Sequence, residues 1–300
     1  MHIALASNQC LPVQNYGGTE RVIWWLARSL SEMGHDVVLI GRPGTTCPFA
    51  KVITWESADD IRTLMPPEID IVHFMMKPPK DLQVPYVVTI QGNAGPDEVL
   101  DRQTIFISAN HAARHGSDVF VHNGLRWPDQ SVSGSKRKGF HFLGKAAWRR
   151  KNVKGAIAAT KGVPGATLQV MGGARLNFSM GFRCTLSPRI KFLGMVNDQQ
   201  KYDVMSRSRG LVFPVRWHEP FGLAITESLY CGCPVFATPY GSLPELVTEE
   251  VGFLSNKRSE LTAAMEHADK WQAAACTEYA IEYFNADRMA CSYLQLYERV

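Results

Sequence analysis

The sequence predicts an α/β fold made of two doubly wound parallel sheets that face each other across a cleft. Three observations carry that prediction. Short β-branched or apolar runs alternate with helical patterns from end to end. The alternation lapses once, in a polar Ser/Gly/Lys-rich stretch at 128–138 that reads as a linker. The 300 residues suit about two domains of ~100–200 residues each. Parallel strands need crossovers, and the crossover helices then cover the sheet.

In the first half, strands are expected at 2–6, 37–40, 52–55, 69–74, 86–90, 105–108 and 119–121. Between the first two, Val22, Leu26, Leu30 and Met33 recur on one face of a helix over 20–33, and Gly34 is placed to stop it. In the second half, strands are expected at 140–143, 167–171, 191–193, 211–213, 235–237 and 252–254. Helices fit 152–161, 198–207, 223–231 and 243–248. In the tail, 287–300, Met289, Tyr293, Leu296, Tyr297 and Val300 form one stripe, which suits a terminal helix docking on a preformed surface. There is no internal repeat at a fixed period.

Composition narrows the function classes. Hydrophobic residues at 45% and charged residues at 20% describe a soluble globular chain, not a disordered one. A chain of this length buries about three quarters of its unfolded surface, so it needs no disulfide or metal to fold. The net charge of +4 is too small to argue for nucleic acid. The seven cysteines are odd in number and contain no CxxC, and Cys231-Gly-Cys233 is too tight for a zinc knuckle. Reduced thiols in the cytoplasm are the simple reading. The N-terminus lacks a basic leader, and no run reaches the ~18–20 apolar residues of a membrane span. Peripheral membrane contact, at the inner face, stays open through Trp24, Trp25 or the basic linker, without a clean amphipathic pattern behind it.

Loops beyond the carboxyl ends of the strands are where an open α/β sheet binds ligands. Gly17-Gly18-Thr19-Glu20 follows the first strand and opens the first helix. Glycines there admit a ligand to the backbone, and the helix dipole favours an anion; a plain turn at a helix start reads the residues equally well. GxGxxG is absent and the second strand ends in Gly41-Arg42 without an acid for a ribose, which disfavours a hydride-transfer enzyme. The run from Gly139 to Ala146 nearly spells a phosphate loop. However, Ala146 stands where a Ser or Thr must hold magnesium, and the intervening residues read as a strand.

Lys145, Arg149, Arg150, Lys151 and Lys154 fall between a strand end and a helix start, where cations and helix N–H groups could converge on a diphosphate. A solvated basic face is the alternative, and nucleic acid a further one, although only Trp148 interleaves the charges. The segment Pro214 to Pro234 places Glu219 in a loop just ahead of a helix and Glu227 inside it, on the order of 10 Å apart. That separation is too wide for the ~5–5.5 Å pair of a retaining glycosidase. It suits hydrogen bonds to the hydroxyls of a sugar and a ribose, or else one buried, paired glutamate beside a helix start.

This segment resembles the E-x7-E signature of glycosyltransferase family 4, among the group 1 glycosyltransferases: retaining, nucleotide-sugar-dependent enzymes of the GT-B fold. Gly17-Gly18-Thr19-Glu20 is similar to the family's N-terminal Gly-Gly loop, and Asn123-Gly124 to the pair closing its first domain. Gly144-Lys145 followed by Lys151-Asn152 resembles its donor-phosphate pair. Gly241-Ser242-Leu243-Pro244-Glu245 and Gly252-Phe253-Leu254 resemble later signatures, and 287–300 its returning last helix.

The resemblance implies two Rossmann-like domains. Residues 1–130 would hold the acceptor, with 285–300 packing back onto them, and 139–284 would hold the donor. It implies Lys145 and Lys151 on the diphosphate and Glu227 on the ribose. Glu219 and the backbone of Phe221, Gly222 and Leu223 would meet the sugar hydroxyls, His218 would also bind the donor, and the base would lie near the strand end between Leu193 and Val196. Glu219, Lys151 and Lys145 are then the catalytic candidates. Gly17 and Gly18 would press on the donor, with Gln91 and Asn93 on the acceptor side. The substrate would be a nucleotide-diphosphate sugar carrying a hexose-type group. The acceptor would be a glycan, a lipid-linked or a small molecule, with no nucleic acid partner, cofactor or metal.

Two departures stand out. Lys145 replaces the usual Arg and loses its bidentate fork. Gln91 stands where many members carry a His, and an amide cannot titrate near neutral pH. A GT-B epimerase and a catalytically silent nucleotide-sugar binder are the alternatives.

Overall fold

The computed structural model describes residues 1–13, 17–56, 60–128, 137–178 and 180–300. The linker expected at 128–138 falls mostly outside them. The chain divides into two compact units, residues 1–126 with 284–300, and residues 127–283.

The first unit opens with β1 (His2–Ala6), α1 (Gly18–Glu32), β2 (Asp36–Gly41), β3 (Lys51–Thr54), β4 (Ile71–Phe74), β5 (Tyr86–Thr89), β6 (Thr104–Ile105) and α2 (Ala109–Ala113). Its sheet is parallel throughout, in the order β3-β2-β1-β4-β5-β6. Central β1 has neighbours on both sides, so its apolar residues run on without alternation. Helix α1 buries Val22, Ile23, Leu26, Ala27 and Leu30. Met33, expected on that stripe, is exposed, because the helix ends at Glu32 and Gly34 turns the chain at φ 88°. The strand expected at 119–121 is absent. Phe120 forms only a lone bridge to Phe106, with nothing beyond it to extend the ladder. The strand expected at 105–108 is cut short because the Ser108 hydroxyl accepts the His111 N–H at 3.1 Å and starts α2.

The second unit runs β7 (Phe140–Leu143), α3 (Val153–Gly162), β8 (Leu168–Met171), β9 (Leu176–Asn177), β10 (Arg183–Cys184), β11 (Ile190–Gly194), α4 (Asp198–Ser206), β12 (Leu211–Phe213), α5 (Leu223–Tyr230), β13 (Val235–Ala237), α6 (Leu243–Leu246), β14 (Gly252–Leu254), α7 (Arg258–Glu266) and α8 (Ala273–Tyr283). Its main sheet is also parallel, ordered β11-β8-β7-β12-β13-β14, while β9 and β10 pair as a separate antiparallel hairpin. The hairpin, α2, α7 and α8 carry little periodic signal in the sequence. Helix α7 buries only Leu261 and Met265, and α8 only Cys276 and Ala280. Trp127 already belongs to this unit, stacked on Tyr230 with ring centroids 4.7 Å apart.

The chain then returns to the first unit. Leu125 N donates to Phe284 O and Ala286 N to Leu125 O, both at 3.0 Å. The approach is so close that a Cβ on Gly124 would stand 2.1 Å from Asn285 O. Helix α9 (Ala286–Tyr297), capped by Asn285, packs on α1, and Ser29 Oγ donates to Asp287 Oδ1 at 2.6 Å. Each unit also buries a neutral histidine that is bonded at both ring nitrogens. In the first, His73 is bonded at both ring nitrogens, to Tyr297 Oη and Thr89 Oγ1, and burial pulls its pKa down to about 3. In the second, His141 lies between Ser208 Oγ and Ser228 Oγ, and burial pulls it down likewise to about 3.

Candidate active site

Strand order in the second unit reverses between β7 and β12. In a doubly wound sheet the loops at that reversal diverge and leave a crevice beyond the carboxyl ends of the strands. Here the two loops are 144–152, after β7, and 214–222, after β12.

Asn152 joins them. It sits in the left-handed region at φ 55°, its Oδ1 accepts the Gly155 N–H at 3.0 Å to cap α3, and its Nδ2 donates to Pro214 O at 2.7 Å. A second tie runs from Arg216 N to Arg150 O at 2.7 Å. So held, Lys151 donates to both oxygens of Glu219, at 2.9 and 2.7 Å, and Trp217 Nε1 adds a third bond to that carboxylate at 2.8 Å. The lysine and glutamate side chains are only 13% and 8% exposed. Arg150 is sandwiched between Trp148 and Trp217, 4.1 and 4.2 Å from their ring centroids. Lys145, exposed at the strand tip, reaches the same cluster through Trp148 at 5.2 Å.

The loop carrying Glu219 is fixed from behind. Glu219 pairs with Gly241, Ser242 N donates to Glu219 O at 3.0 Å, and Ser242 Oγ donates to Phe221 O. Gly241 adopts φ 67°, and a Cβ there would lie 2.3 Å from both Glu219 N and Glu219 O. Gly222, at φ 103°, caps α5, whose first residue is Leu223. Glu227 lies inside α5, buried, in an ion pair with Lys201, which also bonds Asp198 at 2.8 Å. His218 is exposed with its ring near Tyr240, and Val196 follows β11, half-buried.

The sequence therefore located Lys145, Arg150, Lys151, Glu219 and the start of α5 in one neighbourhood, but missed two partners. Lys201 left a signal, a charged residue on the buried side of α4 beside Tyr202 and Met205. Trp217 left none, because its stacking on Arg150 across two loops has no spacing in the chain. Gly17, Gly18, Gln91 and Asn93 lie in the first unit. Gly17 caps α1 and Gly18 is its first residue. Gln91 and Asn123 exchange two amide hydrogen bonds, at 2.9 and 3.3 Å, and Asn93 accepts from Arg114 at 2.8 Å.

Lys151 spends two of its three N–H groups on Glu219, so the pair presents a held cation, stacked cations behind it and a carboxylate in one wall. Such a wall can grip an anion and a hydroxyl side by side. A family model of group 1 glycosyl transferases matches residues 125–278, which contain all of it. The chain belongs to the group 1 glycosyl transferases. It is 32% identical over 107 residues to O-antigen chain mannosyltransferase B of Escherichia coli, covering 33% of this chain and 28% of that protein. It is 29% identical over 136 residues to a GDP-mannose-dependent phosphatidylinositol dimannoside mannosyltransferase of Mycobacterium tuberculosis, covering 43% and 35%. The chain spans about a third of the length of the curated relatives it matches. Among solved structures, AviGT4 of avilamycin A biosynthesis superposes with a TM-score of 0.81 at 18% identity, over 99% of this chain and 97% of that one. Sucrose-phosphate synthase from Thermosynechococcus elongatus gives 0.73 at 18% identity, over 99% and 98%. A third, Anabaena HepE crystallised with UDP-glucose, gives 0.70 at 16% identity, over 99% and 100%. The fold of this group 1 member is thus the GT-B fold of paired Rossmann-like units.

Proposed function

We propose that the chain is a retaining, metal-independent glycosyltransferase that moves a hexose-type sugar from a nucleotide-diphosphate sugar to a glycan, lipid-linked or small-molecule acceptor. The observation that carries this reading is the buried Lys151–Glu219 pair at the strand-order reversal, within the segment that defines the family. Lys145 and Lys151 take the diphosphate, Glu227 the ribose, and Glu219 with the backbone of Phe221, Gly222 and Leu223 the sugar hydroxyls. His218 and Val196 flank the sugar and the base. Gly17 and Gly18 complete the donor side, and Gln91 and Asn93 belong to the acceptor side.

Breaking the sugar–phosphate bond puts negative charge on the diphosphate and positive charge on the sugar. A lysine already held in place meets the first without reorganising, which is where preorganised charge contributes most. Glu219 holds that lysine and can accept from a sugar hydroxyl. Attack comes from the face the diphosphate leaves, with the departing phosphate taking the acceptor proton. Cytoplasmic action belongs to the same reading, in keeping with seven free cysteines.

A thermal-shift screen against UDP-, GDP-, ADP- and TDP-sugars tests the reading. One donor should raise the melting temperature, and Lys151→Ala should abolish the rise; a rise retained in that variant, or none with any donor, overturns the assignment. The Gln91–Asn123 amide pair favours a second reading, a silent nucleotide-sugar binder, since neither amide titrates near neutral pH. Product formation from the donor that binds separates the two.

A further inference from the structure

We infer that the second unit docks on an anionic lipid bilayer through the β9–β10 hairpin and the basic surface around it. Between Gln130 and Asn197 the sequence holds thirteen Lys or Arg and no Asp or Glu, although the whole chain carries a net charge of only +4. The remainder is therefore net acidic, and of these thirteen cations Arg175 and Arg183 belong to the hairpin segment and Arg149 bonds it.

The hairpin also carries the densest exposed apolar group among the described residues. Leu176, Phe178, Met180, Phe182 and Leu186 are 49, 73, 57, 64 and 87% exposed within eleven residues. Single exposed apolar side chains are ordinary, but five on a two-stranded hairpin make a patch. Phe178 and Phe182 stand together with ring centroids 5.7 Å apart. Cations brace the hairpin: Arg149 Nε donates to Met180 O at 2.8 Å, and Arg175 bonds Thr185 O and Ser187 O at 3.1 Å. Beside it lies a cavity of about 900 Å³ walled by Met180 and Phe182 and by Arg149, Lys154, Arg216 and Arg258, with no acid among its described lining residues.

Apolar side chains rimmed by cations match an anionic interface, where the chains enter the acyl layer and the cations meet headgroup phosphates. Nucleic acid would use the charge but not Leu176, Met180 and Leu186, which have no ring to stack on a base. A second copy would bring the same positive face and repel. Trp24 and Trp25, the sequence's candidates for membrane contact, are only half-exposed, and Trp24 packs edge-on against Phe49. Docking through the hairpin is independent of which sugar is transferred.

Co-sedimentation with phosphatidylcholine vesicles, with and without about 30% phosphatidylglycerol, is the test, together with hydrogen exchange on the bound protein. Binding is expected only to the anionic vesicles, with added protection confined to 176–186. Phe178→Ser/Phe182→Ser should weaken it by about tenfold or more, since each exchange withdraws a buried ring, while leaving the melting temperature and donor-induced shift unchanged. Arg149→Ser/Lys154→Ser, a second and independent pair, should also weaken it and flatten its salt dependence. The proposal is overturned by no binding, by binding that survives the double Phe exchange, by protection elsewhere, or by a single-stranded oligonucleotide binding in place of vesicles.

Discussion

Replacing Lys151 with methionine keeps most of the side-chain volume and removes the ammonium group from a carboxylate that is 8% exposed. Glu219 retains the Trp217 N–H but loses two charged hydrogen bonds. Breaking a buried ion pair from one side costs about 3–5 kcal/mol, because the surviving charge stays buried. At roughly 2–4 °C per kcal/mol for a unit of this size, the transition of the second unit should fall by about 6–20 °C. Glu219→Gln strands the lysine instead and should cost a comparable amount. In the double variant Lys151→Met/Glu219→Gln neither charge remains, so the loss should be smaller than the sum by about 1 kcal/mol or more. Urea unfolding of the four proteins measures the cycle, and additivity within about 0.5 kcal/mol would refute the buried pair as a coupled unit. The same proteins report on binding. Lys151→Met should weaken the nucleoside diphosphate by about one to two orders of magnitude, a charged hydrogen bond being worth ~1.5–3 kcal/mol, while Glu219→Gln should leave it nearly intact.

Glu219→Ala should cripple transfer far more than nucleotide binding; equal losses by steady-state kinetics and calorimetry would remove it from the sugar. His73 and His141 are neutral in the folded chain, with pKa values near 3 against about 6.5 when unfolded, so the unfolded state binds more protons between those limits. Stability should be full above about pH 6.5 and fall toward pH 3, by up to ~1.4 kcal/mol per pH unit for each histidine; urea midpoints that stay flat from pH 7 to 4.5 would contradict neutral burial. Gly241→Ala should lower the melting temperature of the second unit and abolish transfer together, since its methyl group would meet the Glu219 backbone at 2.3 Å; wild-type turnover would show that this contact does not position Glu219. Activity should survive a chelator, and loss restored by manganese would disprove metal independence.

The strands of both sheets were legible because buried parallel strands must be continuous apolar runs, and β1, β7, β12, β13 and β14 coincide with the runs read from the sequence. Helix α1 was legible from its stripe. By contrast, α7 and α8 bury only two side chains each, too few to mark a period, and the two-residue strands of the hairpin are shorter than any pattern. At the site, residue types and spacing pointed to Lys145, Lys151, Glu219 and Glu227. Chain order did not contain the pairing itself, Lys151 with Glu219 and Glu227 with Lys201.

Local sequence, then, determined the layers, the crossovers and the family-bearing loops, since hydrophobic period and helix capping act over a few residues. Tertiary structure alone decided which charge meets which. Lys151 and Glu219 are 68 positions apart in the chain, and only the reversal of strand order brings their loops to one crevice. It also decided that the exposed apolar side chains gather on a hairpin beside cations that share a cavity with no acid among its described lining residues. Exposure is a property of what packs against a residue, and no residue carries that information in its own type.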